Sequence, residues 1–207
     1  MHISNEMFWE YFRNNYSEYL NGIVYEYGSQ DDPNFGDEEP VKKCCLNAKK
    51  HVGIDWRGGN NVDVIGLAHE VTFPEKADAV LSASMFEHDP YWDLSLTNMV
   101  KWLNDDGIIV LTWCSMASPE HCHCHSPQNA YYHRPAKIFV DKLNELGVSI
   151  CEFMYEGNRF KGDQHIYSSP EGMGEVCLIG FKGEVPSNLT IRIDEYYGAD
   201  KNLVDFI

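Results

Sequence analysis

The chain has 207 residues, 43% of them hydrophobic and 13% aromatic, enough to bury the core of one α/β domain and too few for two comfortable ones. Its 32 acidic against 16 basic side chains leave a formal net charge of −16. That balance excludes bare nucleic acid as the main partner, because no basic excess exists to displace counterions from a phosphate backbone.

In chain order, residues 4–20 place Met7, Phe8, Tyr11, Phe12, Tyr16 and Leu20 at helical spacing, which predicts an opening helix laid against the body of the domain. Strands are expected at 23–27, 51–55, 62–67, 77–83 and 107–113, with helices between them. Such alternation implies an α/β fold with a parallel sheet covered by helices on both faces. One helix is expected to have Asp89 as N-cap, Pro90 at its first position and the stripe Trp92, Leu96, Met99, Val100 and Leu103. Another starts at Pro135, carries Ile138, Phe139, Leu143 and Leu146, and stops at Gly147. Residues 149–155 and 174–181 are then two strands without an evident helix between them, suited to an antiparallel hairpin closing one edge of the sheet. The expected organisation is a domain over 1–182, including the opening helix, with 183–207 as a tail packed on it. The first twenty residues mix charge and aromatics and lack a signal-peptide pattern, so a cytoplasmic protein without a membrane span is expected.

The stretch VYEYGSQDDPNFG, residues 24–36, is a strand running into a glycine turn surrounded by carboxylates. A dinucleotide site would show G-x-G-x-x-G and a triphosphate site G-x-x-x-x-G-K-[ST]; neither is present. Glu26, Asp31, Asp32, Asp37, Glu38 and Glu39 repel phosphate and favour a cationic ligand, and S-adenosylmethionine carries an ammonium and a sulfonium. The next strand, HVGIDW, ends in Asp55, where a carboxylate can accept both ribose hydroxyls, and Trp56 offers a flat face to adenine. Taken singly, Asp55 also reads as a solvated cap and Trp56 as core. Their order on adjacent strands is what favours the adenosyl reading.

The segments VYEYGSQD, HVGIDWRGGNNVDVIGLAHEVTFPEKADAVLSASMFEHDPYW and LNDDGIIVLTW resemble the successive motifs of class I S-adenosylmethionine-dependent methyltransferases, in particular the branch often labelled type 11. The similarity spans roughly residues 22–147 and is most specific over 77–92. It implies a Rossmann-like, seven-stranded, mostly parallel sheet with an antiparallel last strand. It also implies that Glu26 helps to bind the methionine end, with Gly28 and Ser29 turning beneath the cofactor. Asp55 takes the ribose, Trp56 packs beside adenine, Ala68 and His69 pass the adenine edge, and Ser82 and Ser84 lie near the methyl donor. Glu87-His88 resembles the family's E-H pair at the pocket mouth. The glycine turn has one glycine where many relatives have two or three, and Leu67 stands where an acidic residue often receives the adenine amine.

Methyl transfer from a sulfonium is an in-line displacement in which an enzyme contributes mainly alignment and exclusion of water, consistent with the lack of a catalytic triad. For a hydroxyl, thiol or protonated amine a base is useful, and His88 is the first candidate, His69 the second; the plainer reading has His88 bracing a helix start. In PEHCHCHSP, residues 119–127, strict alternation in an extended segment sends His121, His123 and His125 to one side and Cys122 and Cys124 to the other. That arrangement argues against a zinc site, and the resemblance implies a substrate-facing loop after the fifth strand, so no metal is expected. Cys44 and Cys45 read as buried packing, and the seven cysteines as reduced thiols. Two function classes follow: a methyltransferase acting on a small molecule or a polymer end, with the small molecule favoured, or a non-catalytic module of this fold that binds a partner protein or a metal.

Overall fold

The structure, a computed structural model, describes residues 3–31, 40–115, 120, 126–155 and 175–193. Helix α1 (Ile3–Tyr16) continues into a 3₁₀ turn (Ser17–Leu20), then β1 (Ile23–Tyr27), α2 (Pro40–Cys44), β2 (Lys50–Asp55), β3 (Val64–Ile65), β4 (Ala77–Ala83) and α3 (Trp92–Lys101). The chain goes on through β5 (Leu103–Cys114), α4 (Ala136–Glu145), β6 (Val148–Tyr155), β7 (Glu175–Lys182) and β8 (Arg192–Ile193). The strands form one sheet in the order β3-β2-β1-β4-β5-β7-β6-β8. Strands β1 to β5 pair in parallel, β7 is antiparallel to both β5 and β6, and β8 lies parallel to β6.

Residue parity along the strands sorts side chains onto two layers. Val24, Ala79, Leu81, Ile108, Val110, Cys177, Ile179 and Phe181 face α1 and α2, meeting Phe8, Trp9, Phe12, Val41, Cys44 and Cys45. Tyr25, Val80, Ile109, Leu111, Trp113 and Leu178 face α3 and α4, meeting Leu96, Met99, Phe139 and Leu143. Phe139 stacks on Trp113 with ring centroids 4.3 Å apart. The vicinal thiols are core groups as expected: Cys44 Sγ donates to the carbonyl of Trp9 at 3.4 Å and Cys45 Sγ to that of Val41 at 3.5 Å.

Three expectations are corrected. The 149–155 and 174–181 strands pair antiparallel as expected, with β7 next to β5, but the two-residue β8 adds an eighth strand outside β6, so β6 is not the edge. Asp89 does not cap α3, which begins at Trp92 after Tyr91. Residues 85–89 are consumed by a turn in which His88 N donates to Met85 O at 2.9 Å, and Asp89 Oδ1 accepts from Tyr91 N at 2.8 Å within that connection. Strand β3 is shorter than expected because its approach is held by a side chain: Asp63 Oδ2 accepts from Gly53 N at 2.8 Å. Among the described residues no helix is long and apolar enough to cross a membrane.

The chain leaves β1 toward β2 and β3, then returns to the other side of β1 with β4 and β5. Strand order therefore reverses between β1 and β4, and the crevice at their carboxyl ends is where an open α/β sheet receives its ligand.

Candidate functional site

The glycine turn after β1 is built by close approach. Gly28 has φ +75°, and a Cβ there would lie 2.8 Å from Met85 Cβ, so Gly28 satisfies both the left-handed backbone and the contact with the turn after β4. Gly28 N and Ser29 N both donate to Ile54 O, at 2.8 and 3.1 Å, which pins the turn to the end of β2. Gly53 is equally constrained: a Cβ there would meet Asn61 O at 1.8 Å and Ser29 Oγ at 2.6 Å.

Glu26 is buried two residues before this turn. Its Oε2 lies 2.7 Å from His51 Nε2 and accepts from Asn61 Nδ2 at 3.2 Å, while Asn61 Nδ2 also donates to Ser29 O at 3.1 Å and Ser29 Oγ donates back to Asn61 O at 2.8 Å. Glu26 and Ser29 thus belong to a lattice that fixes the shape of the turn. The same lattice satisfies a buried carboxylate that would otherwise be costly.

At the end of β2, Asp55 Oδ1 accepts from Arg57 N at 3.1 Å and Oδ2 from Gln30 N at 3.4 Å. Two backbone amides orient the carboxylate. Trp56 is 36% exposed, and the Arg57 guanidinium sits 5.5 Å from its ring centroid. Arg57 Nε donates to Gln30 Oε1, so the Gln30 side chain is tied to the β2 end.

Ser84 follows β4 with φ +50°; its N donates to Thr112 O at 2.9 Å and its Oγ accepts from Asn5 Nδ2 at 2.9 Å. Thr112 Oγ1 donates to Asn5 Oδ1 at 3.2 Å, so α1 is latched across the ends of β4 and β5. Ser82, near the end of β4, is wholly buried. On the rim, Asn98 Nδ2 donates to the carbonyls of Ala68 and Val71, at 2.9 and 2.8 Å, and His69 lies against Tyr91 with centroids 4.4 Å apart. Gln128 Nε2 donates to Tyr91 Oη at 3.2 Å and Tyr132 Oη to Gln128 Oε1 at 3.1 Å, linking the connections before α3 and α4.

Beyond Ser84 lies a second buried cluster. His88 packs edge-on to Tyr131 with centroids 5.5 Å apart. Cys114 Sγ donates to Glu87 Oε1 at 3.3 Å and lies 3.8 Å from Glu175 Oε1. Burial pushes the Glu87 carboxyl up to about 7, against the opposing pull of the Cys114 hydrogen bond and the Arg134 charge. Arg134, itself buried, donates to Phe86 O and stacks over Tyr132 at 4.4 Å.

The structure brings Glu26, Gly28, Ser29, Asp55 and Trp56 together at the β1 and β2 ends, and places Ser84, Glu87 and His88 across the crevice on the β4 side. Ala68 and His69 form the rim between. The stretch 121–125 lies outside the described residues. Sequence reasoning missed Asn5, His51, Asn61, Arg134 and Glu175. Each acts through a contact between elements distant in the chain, and no motif or spacing marks them.

No protein-family model matches the chain, and no curated protein matches it in sequence. Solved structures do resemble it. A putative S-adenosylmethionine-dependent methyltransferase from Listeria monocytogenes is 14% identical with a TM-score of 0.60, over 88% of this chain and 100% of that one. The N-methyltransferase NodS from Bradyrhizobium japonicum WM9, solved in complex with S-adenosyl-L-homocysteine, is 14% identical with a TM-score of 0.55, over 85% and 88%. The cyclase SpnF is also 14% identical, with a TM-score of 0.57 over 85% and 81%. The chain has the fold of the class I S-adenosylmethionine-dependent methyltransferases, Rossmann-like and mostly parallel with β7 reversed.

Proposed function

We propose that the protein is an S-adenosylmethionine-dependent methyltransferase acting on a small-molecule acceptor. The observation that carries this reading is the end of β2, where the Asp55 carboxylate is held by two backbone amides beside the half-open face of Trp56 and the Gly28 turn. These residues fit an adenosyl group: Asp55 takes the ribose hydroxyls, Trp56 lies along adenine with Ala68 and His69 at its edge, and Gly28 with Ser29 underlies the methionine end. Glu26 serves through the lattice that shapes the turn and through its charge, since its Oε2 is engaged by His51 and Asn61.

When bound, the cofactor supplies an electrophilic methyl on a cationic sulfur, a leaving group activated by its own charge. The chain's part is alignment and exclusion of water. Ser84 is held at the β4 end by Asn5 and Thr112, and the rim Tyr91–Gln128–Tyr132 flanks the acceptor side. For a base, His69 stands on the adenine side against Tyr91, whereas His88 and its neighbour Glu87 stand on the acceptor side.

The acidic surplus of the chain favours a small acceptor over nucleic acid. The likeness to a cyclase keeps a second reading in view, in which the fold binds the cofactor without transferring its methyl. Incubation with methyl-labelled S-adenosylmethionine and separated cell fractions tests the choice: label is expected in the fraction below about 1 kDa, a small-molecule size scale. Label confined to nucleic acid or protein contradicts the small-molecule acceptor, and cofactor binding with no label transferred anywhere supports the second reading.

A further inference from the structure

We infer that Glu87 takes the proton released by the methyl acceptor, and that its ionisation is matched to the positive charge on the sulfur of the methyl donor. The inference rests on the methyltransferase reading and adds a catalytic residue to it. The turn that carries Glu87 leans on the Gly28 turn through Met85 and reaches the ends of β5 and β7 through the Glu87 carboxyl. Glu87 therefore stands between the place where the methionine end lies and the acceptor side. Its main chain is fixed by Tyr132 N donating to Glu87 O at 2.8 Å, and Oε1 is fixed by the Cys114 thiol. The residue is 2% exposed, and its Oε2 is buried with no hydrogen-bond partner among the described residues. A buried carboxyl oxygen left unpaired is expensive in a core, and its lone pairs are open to a proton brought within hydrogen-bond reach.

The groups facing Glu87 set its charge. Cys114 comes from β5, Glu175 from β7, and Tyr131 and Arg134 from the connection before α4; Asp89 and His88 share its own turn, and Asp93 of α3 acts on Arg134. Burial favours the neutral acid, whereas the hydrogen bonds from Cys114 and the Arg134 charge favour the anion. A cationic sulfur added at the β1–β4 crevice shifts that balance toward the anion.

In the reaction the S–CH₃ bond breaks with its electron pair left on sulfur, and a lone pair on the acceptor atom X, a hydroxyl oxygen, thiol sulfur or amine nitrogen, forms the new X–CH₃ bond. The X–H bond breaks with its pair kept by X, and the proton passes to Glu87 Oε2. Sulfonium plus carboxylate becomes thioether plus carboxylic acid, so two opposite buried charges vanish together and neither is left uncompensated.

The test needs no acceptor. Titration calorimetry of the intact protein at pH 7, in two buffers of different ionisation enthalpy, counts the protons released on binding S-adenosylmethionine and, separately, S-adenosylhomocysteine. Their difference is expected to be larger in the wild type than in Glu87→Gln by about 0.3 to 0.5 proton, given a carboxyl half protonated near pH 7. The variant is expected to bind S-adenosylhomocysteine within about threefold of wild type, because Gln keeps the oxygen that accepts from Cys114. Equal differences in the two proteins overturn the inference. If Glu87→Gln does not fold, the wild-type infrared spectrum decides: the carboxylic C=O band is lost on adding S-adenosylmethionine and kept on adding S-adenosylhomocysteine, and a band that ignores the distinction contradicts the proposal. Failure of both ligands to bind removes the methyltransferase reading and this inference with it.

Discussion

His51 Nε2 lies 2.7 Å from Glu26 Oε2, and this contact cross-links the first two strands two residues before the glycine turn. Glu26 is 3% exposed and His51 is the nearer of its two side-chain partners. The pair makes the acidic start of the crevice a supported feature of the fold.

Removing the imidazole leaves a buried carboxylate with Asn61 alone. His51→Ala is expected to lower the unfolding free energy by about 1 to 3 kcal/mol, the usual cost of stranding a buried polar group. Adding Glu26→Gln to that background recovers part of the loss. Chemical denaturation of the two single variants and the double variant checks this, and strictly additive losses would contradict the lattice described for Glu26.

Gly53 is predicted to be intolerant of any side chain. A Cβ at this position would fall 1.8 Å from Asn61 O, a backbone atom with no rotamer to escape through. Gly53→Ala is expected to cost about 1 to 3 kcal/mol by overpacking. It should also weaken S-adenosylhomocysteine binding, because the Asn61 loop that moves also holds Ser29 and Glu26. Wild-type stability in this variant would show that the loop approach is not required.

The fold was largely legible because β-strand parity and helical spacing are local patterns: β1 and β4 run over the predicted residues, and the two faces of the sheet follow from alternation along each strand. What was not legible came from partners far apart in sequence. The insertion of β7 between β5 and β6 depends on sheet pairing that no single strand announces. Asp89 has the composition of a helix cap, yet its carboxylate accepts from Tyr91 N before the helix begins. At the site, Asp55 and Gly28 were readable from their place after apolar runs. Glu87 was visible only as half of an E-H pair, and its significance rests on Cys114, 27 residues from it in the chain, and on Glu175, a further 61 residues from Cys114.

Glu87 also leaves a mark on stability against pH. Its folded value is raised by burial from 4.5 to about 7, so the folded state binds the proton more tightly than the unfolded state. The stabilising contribution is complete below about pH 4.5 and is lost as pH rises through about 7. The shift corresponds to about 3 kcal/mol between those limits. Between pH 5 and pH 8 the wild type is expected to lose stability relative to Glu87→Gln by an amount of that order, read from denaturation midpoints at matched ionic strength. Parallel pH profiles for the two proteins would contradict the buried, proton-holding carboxyl.

The most direct measurement of the central claim is calorimetric titration of S-adenosylhomocysteine into the wild type and into Asp55→Ala. Asp55 is presented by the amides of Arg57 and Gln30 at the end of β2, and a carboxylate accepting ribose hydroxyls makes charge-assisted bonds worth about 1.5 to 3 kcal/mol each. The wild type is predicted to bind at one site per chain, and Asp55→Ala to bind at least tenfold more weakly while keeping the wild-type unfolding transition. Absence of binding to folded wild-type protein at millimolar ligand, or undiminished affinity in Asp55→Ala, would contradict the assignment of this crevice to an adenosyl cofactor.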